Sequence, residues 1–231
     1  MDTCIFFVEK RRNVSKLRGT DAWAEELERA KRVGDTEKLR KMSKTEEERM
    51  VVIHLAEGFE EVEALTAADI LRRAGKQVVL VSVTDDPLVT GAHNITVKAD
   101  CLFEEVDYAA CEMLVLPGGM PGTKHLDEHR GLCEKLTAFA HAGKWIAAIC
   151  AAPMVLGRLG LLEGRHATLY PGMESYLIGA VCEKQAVVRD GNLITSQGPG
   201  TAMLFALALV EALCSGEVHR QIADELILQQ G

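Results

Sequence analysis

Lys144-Trp-Ile-Ala-Ala-Ile-Cys150-Ala-Ala-Pro153 reads as a buried strand that stops on a cysteine and turns at once into a helix. The apolar run 145–149 is a strand. Pro153 opens an amphipathic helix over Ala152–Leu159, with Met154, Val155 and Leu159 on one face. A residue on such a strand-to-helix turn is pushed out at the carboxyl edge of a sheet, where α/β enzymes present nucleophiles. There a thiol also meets the first N–H groups of the helix, which favour a thiolate. The flanking alanines leave space for a tight turn and a substrate. Cys150 is equally readable as a small buried hydrophobe.

Outward from this stretch, strand and helix alternate. From Met50 the pattern predicts strands at 50–56, 77–83, 111–116 and 145–149. Helices are expected at 60–74, 130–142, 152–159, 201–214 and 217–228. A short hairpin is expected in 90–100, and a second at 185–196 around Asp190-Gly191. Continuous apolar strands separated by helices imply a mostly parallel sheet covered on both faces. Ligands of such sheets collect at the carboxyl ends of the strands. Cys150, Gly118-Gly119, Glu57-Gly58 and the stretch Ser196–Thr201 all fall at that edge.

The chain has 231 residues, enough for one sizeable α/β domain with an appendage. A 48% hydrophobic content with 5% aromatic describes an aliphatic core, and a net charge of -8 disfavours nucleic-acid binding. The first 49 residues differ in kind. They carry 13 Lys and Arg against 11 Asp and Glu, whereas the remainder is strongly acidic. Thr20 or Asp21 can cap a helix with Trp23, Leu27 and Ala30 on one face and Gly34 at its end. Residues 35–49 are nearly all polar and are helical or disordered. Two explanations stand: a translation start assigned upstream of the true one at Met50, or a helical arm that docks on the domain or a partner. Seven cysteines without C-x-x-C pairing fit a reducing cytoplasm. Cys4–Val8 is too short to span a membrane, and it follows no basic leader, so a soluble, cytoplasmic protein is expected.

Three further groups are candidates for chemistry. The glycines of Leu116-Pro-Gly-Gly119 allow close backbone approach, and their N–H groups, with that of Ala151, can hold an oxyanion; an ordinary tight turn reads the same way. Glu63 lies in the first turn of its helix and can point back over the sheet edge. Beside a thiolate its pKa would rise, and it would donate a hydrogen bond to sulfur. The neighbouring Glu57, Glu60 and Glu61 read as a solvated helix start. Gly118–Thr123 and Gln197–Thr201 match no phosphate-loop pattern and read as turns. His125 and His129, four apart, read as a surface helix start, and no cluster reaches zinc-ligand quality.

The Glu63 region, Leu116-Pro-Gly-Gly119, Ala147-Ala-Ile-Cys150-Ala-Ala-Pro153 and Thr195-Ser-Gln-Gly-Pro-Gly-Thr201 stand in the order and spacing of the ThiJ/PfpI family. Over residues 50–229 the chain most resembles the subgroup of the parkinsonism-associated protein deglycase. The resemblance implies a flavodoxin-like three-layer α/β sandwich over 50–231, related to class I glutamine amidotransferases, with 1–49 as an extension. It implies a homodimer whose usual contact region is Glu60–Gly75 and its neighbouring turns. By position Cys150 is the reactive cysteine, Glu63 its carboxyl partner, and the N–H groups of Gly119 and Ala151 the oxyanion donors. Arg73 falls where the subgroup has one arginine of an anion site; His93 fills the position of the second.

The resemblance also marks a departure. Relatives with a histidine near the cysteine carry it where this chain has Ala151 or Tyr170. A phenol cannot take a proton near neutral pH as imidazole does, so a Cys-His triad is not visible and peptidase or amidase activity is disfavoured. Tyr170 is left to line the pocket and hydrogen-bond a substrate oxygen. The activity implied is that of a glyoxalase or deglycase, a lyase or hydrolase. It acts on 2-oxoaldehydes such as methylglyoxal, or on their early adducts with proteins or nucleotides, with no metal or organic cofactor. A redox sensor or stress chaperone using the same cysteine is the alternative.

Overall fold

The computed structural model describes residues 28–36 and 49–228. Within 28–36, residues 28–33 are helical and Gly34 adopts φ 65°. Trp23, Leu27, the cap at Thr20 or Asp21 and most of the polar stretch 35–49 lie outside the described residues.

The domain begins with β1 (Met50–Leu55), rich in the β-branched residues that suit a pleated, buried surface. Helix α1 (Glu61–Arg73) follows. It has Glu61 and Glu63 in its first turn and Arg72 and Arg73 in its last, each matching the helix dipole, and Gly75 lies just beyond at φ 78°. Next come β2 (Gln77–Ser82) and the hairpin of β3 (Leu88–Thr90) and β4 (Thr96–Lys98), then β5 (Cys101–Leu102) and β6 (Cys111–Leu116). Helices α2 (Gly122–Glu128) and α3 (Arg130–His141) lead to β7 (Trp145–Ile149) and α4 (Pro153–Arg158). After the small pair β8 (His166–Ala167) and β9 (Val181–Cys182), an antiparallel hairpin of β10 (Val187–Asp190) and β11 (Leu193–Ser196) precedes α5 (Ala202–Leu213) and α6 (Gly216–Glu225).

The main sheet has the order β10-β11-β7-β6-β1-β2-β5 and is parallel except for β10. Its five central strands, counted along the chain, run 2-1-3-4-5, the flavodoxin-like order. Strand residues alternate between two cores. Val51, Ile53, Leu55 and Met113 pack with α1 and α5, while Val52, Leu114, Leu116 and Ala148 pack with α3 and α4. This is the three-layer sandwich the alternating pattern implies. The chain order changes direction between β1 and β6, and the carboxyl ends of β1, β6 and β7 lie side by side there.

Helix α2 has no counterpart among the expected elements. It is seven residues long and follows Pro121, too short for a readable period, and it carries His125. His129 ends it and caps α3 by accepting the Leu132 N–H through Nδ1 at 3.0 Å, while His125 Nδ1 lies 2.8 Å from the Glu57 carbonyl. The two histidines therefore serve separate structural contacts.

His54 of β1 is fully buried, 3.1 Å from the Tyr108 hydroxyl through Nε2 and stacked on that ring. Burial pushes its pKa down to about 3. The folded protein therefore resists a proton that the unfolded chain accepts below about pH 6.5. The stability this neutral imidazole confers is complete above that pH and falls by roughly 1.4 kcal/mol per unit as pH drops toward 3. Urea unfolding at stepped pH should give a slope between pH 6 and 4 that is steeper in the parent than in His54→Gln by about that amount.

Candidate active site

β7 delivers Cys150 to the carboxyl edge, where it holds φ 63°. A non-glycine residue in this left-handed region costs about 1–2 kcal/mol, so the surrounding structure must impose it. The clamps are visible. The Cys150 N–H donates to the Ser196 carbonyl at 2.9 Å, and the Cys150 carbonyl accepts from the Tyr170 N–H at 2.9 Å. The thiol is half-buried.

Glu63 arrives from α1. Its carboxyl, with the residue only 1% exposed, accepts the Gly118 N–H through Oε2 at 2.7 Å, and the buried Oε1 has no conventional partner. A Cβ added at Gly118 would stand 2.5 Å from the Cys150 Cβ and 2.8 Å from Glu63 Oε2. Thiol, carboxyl and glycine thus meet at one point. Gly119 takes φ 90°, and a Cβ there would lie 2.5 Å from the Glu60 nitrogen. The Glu60 N–H donates to the Gly118 carbonyl at 2.9 Å, closing the cradle.

The electrostatics differ from a preformed thiolate. Burial raises the Glu63 pKa to about 7, against the opposing pull of the Gly118 N–H. Burial, then the Glu63 charge, pushes the Cys150 thiol up to about 12, although the N–H groups of Gly119 and Ala151 favour its ionised form. The two groups titrate as a pair, and the first negative charge rests mainly on the carboxylate. Burial and the Glu63 charge thus work against the expected thiolate, while the N–H groups of Gly119 and Ala151 work for it. The helix after the cysteine is a six-residue turn, too slight to offset desolvation.

Gly118, expected among the oxyanion donors, spends its N–H on Glu63. The donors directed at sulfur are those of Gly119 and Ala151. Arg73 is not brought to this site within the chain. It sits ten residues beyond Glu63, about 15 Å along the helix, and pairs with Asp69 at 2.7 Å. His93 is held by Glu61 at 2.9 Å and Glu60 at 3.5 Å, which raises its pKa. Among the described residues these three are the group close enough to share a cation, but Glu61 is already satisfied by His93 and its backbone N–H. His166 is paired with Glu183 at 2.6 Å.

Tyr170, 48% exposed, stands over the thiol side of the site: its ring lies 3.3 Å from where a Gly198 Cβ would be, a point 4.0 Å from the Cys150 Sγ. Gly198 was hidden in a stretch that reads as a plain turn; its lack of a side chain makes this space. A cavity of about 230 Å³ adjoins the Tyr170 segment, lined by Thr168, Leu169, Pro171, Cys182, Lys184 and Gln197 among others, but it includes neither Cys150 nor Glu63.

Residues 49–212 match the DJ-1/PfpI family. The chain belongs to that family. It is 37% identical over 179 residues to protein dj-1beta of Drosophila melanogaster, covering 77% of this chain and 96% of that one. It is 35% identical over 169 residues to a protein named deglycase from Pyrococcus abyssi, covering 71% and 98%. Among solved structures, oxidized Toxoplasma gondii DJ-1 superposes with a TM-score of 0.75 at 37% identity, covering 78% of this chain and 98% of that one. The family assignment agrees with the motifs quoted at the outset, and the fold with the order of strands.

Because Cys150 sits at φ 63°, Cys150→Gly should be more stable than Cys150→Ala by about 1 kcal/mol, the reverse of the usual ranking. Urea denaturation of the two variants checks this.

Proposed function

We propose that this DJ-1/PfpI protein is a cysteine-dependent glyoxalase or deglycase acting on 2-oxoaldehydes such as methylglyoxal, or on their early adducts with proteins or nucleotides. The observation that carries the reading is the buried Glu63 carboxyl, poised near pH 7 beside the Cys150 thiol. A deglycase among the relatives supports the substrate class.

In this reading the Glu63 carboxylate takes the thiol proton as sulfur attacks the aldehyde carbon. The S–C bond forms, and the carbonyl π pair moves to oxygen, which the N–H groups of Gly119 and Ala151 face until it is protonated. Glu63, having returned the thiol proton to that oxygen, then carries the C–H proton from the first carbon to the second while the hydroxyl proton passes to the neighbouring oxygen, leaving a thioester. Water cleaves it, releasing lactate and restoring the thiol. The balance is one water added per methylglyoxal, with no external oxidant. Tyr170 lines the substrate side.

The same geometry supports a second reading, a peroxide sensor. Protonated, the unpartnered Glu63 Oε1 can donate to an oxygen on oxidised Cys150. A homodimer is also proposed. It is supported by the exposed apolar Val62 and Leu65 on α1 beside Ile95 of the hairpin turn, where the Ile95 N–H reaches Glu61. A cytoplasmic location is also proposed, supported by the free thiols of Cys111, Cys133, Cys150, Cys182 and Cys214.

Loss of methylglyoxal without glutathione should be catalytic in the parent and abolished in Cys150→Ala. A parent without turnover would leave the sensor reading, which peroxide titration followed by mass spectrometry then tests. The rate of Cys150 alkylation should rise with pH through a midpoint near 7, since loss of the first proton supplies the base. In Glu63→Gln that inflection should vanish, leaving reactivity that climbs only at alkaline pH, and turnover should fall by 10²–10⁴-fold, the usual range for a general base. Val62→Glu should shift the species seen by light scattering from dimer to monomer.

A further inference from the structure

The cavity of about 230 Å³ beside the Tyr170 segment includes neither Cys150 nor Glu63, yet it is built on the segments that hold Cys150 in place. Leu169, in its lining, precedes the Tyr170 N–H that bonds to the Cys150 carbonyl, and Gln197 follows the Ser196 carbonyl that accepts the Cys150 N–H. Its polar groups are unevenly committed. Thr168 is 1% exposed and donates its N–H to Thr195 Oγ1 at 2.9 Å, but among the described residues its hydroxyl has no hydrogen-bond partner. A buried hydroxyl left this way costs free energy until something in the cavity satisfies it. Glu183 is taken up by His166 at 2.6 Å. Glu174 accepts the Gly172 N–H through Oε1 at 3.0 Å, and its Oε2 is left open. Lys184 forms no ion pair among the described residues. The Glu174 carboxyl is held below its ordinary pKa first by the Gly172 N–H and more weakly by the Lys184 charge, so the two charges sense each other without closing into a pair.

Two carboxylates and one ammonium in the lining decide what can enter. A simple carboxylate would gain Lys184 but face both Glu174 and Glu183. A simple amine would gain Glu174 but face Lys184. A molecule that carries both charges satisfies both sides at once. We propose that this cavity binds a small α-amino acid, its carboxylate met by Lys184 and the Thr168 hydroxyl and its ammonium by Glu174. The volume lies below the range of drug-sized pockets, and Leu169 and Pro171 are the apolar residues of the lining, so a compact aliphatic side chain suits it. The site is distinct from the thiol and carboxyl of Cys150 and Glu63, and binding there requires no turnover.

The test titrates L-valine into the full chain by calorimetry, with isobutyrate and isobutylamine as ligands that carry one charge each. Cys182 is exposed and lines the cavity, so its alkylation by iodoacetamide, read by peptide mass spectrometry, reports where the ligand sits. Valine should bind saturably and slow Cys182 alkylation, and each single-charge ligand should bind about tenfold more weakly or worse. Lys184 and Glu174 are exposed, so Lys184→Met and Glu174→Gln keep the fold; each should weaken valine about fivefold, the scale of one solvent-facing charge contact. Cys150→Ala should bind valine as the parent does, whatever becomes of the glyoxalase reading. No saturable binding, binding without protection of Cys182, or isobutyrate or isobutylamine binding as well as valine would overturn the site. So would affinity unchanged in both charge variants, or lost in Cys150→Ala, which would move the ligand to the reactive thiol.

Discussion

One buried hydrogen bond, from the Gly118 N–H to the Glu63 carboxyl, ties the first helix to the turn after the third central strand. It holds a carboxyl out of water at the one place where the thiol can reach it. Without that donor, a carboxyl so deeply buried would lose its backbone partner and would be driven further toward its neutral form. With it, the group stays near the midpoint of its titration at physiological pH, so both proton states are within thermal reach. Gly118 is indispensable for a second reason: only an atom-sized gap separates the thiol and the carboxyl, and any side chain there would fill it.

The strained turn at Cys150 and the crowded glycines are two aspects of one arrangement. Strand β7 is held on both sides, by β6 and β11, and Cys150, the residue just past its end, is bonded through N–H and carbonyl to segments far along the chain. The left-handed conformation persists because relaxing it would break those contacts. The sulfur is thereby aimed at a point already furnished with two backbone donors. In the proposed reaction, preorganisation of this kind spares the cost of gathering dipoles at the moment charge develops.

Much of this was legible in the residues. Strands β6 and β7 are apolar runs bounded by breakers, and period alone places them. The carboxyl-edge location of Cys150, Glu63 and Gly119 follows from the alternation of strands and helices. What local pattern could not supply was the allocation of each donor and charge. That the Gly118 N–H is consumed by Glu63, that Arg73 is turned to Asp69, and that desolvation outweighs the helix start at Cys150 are all facts of through-space neighbours. The seven-residue α2 escaped because two turns of helix after a proline carry no period. Gly198 looked like turn punctuation until the Tyr170 ring was found lying over it.

The reactive constellation draws on chain segments near residues 63, 118, 150, 170 and 196, and no two of them are local in sequence. A chain whose sheet has not closed therefore possesses a thiol of ordinary acidity with no carboxyl beside it and no fixed donors. The geometry of Cys150 is accordingly a report on the completed topology: strand β11 must dock before the thiol is bent into place. Misfolded or partly assembled copies carry the same atoms yet lack the arrangement they compose, so the pairing of thiol and carboxyl exists only in molecules that have finished folding.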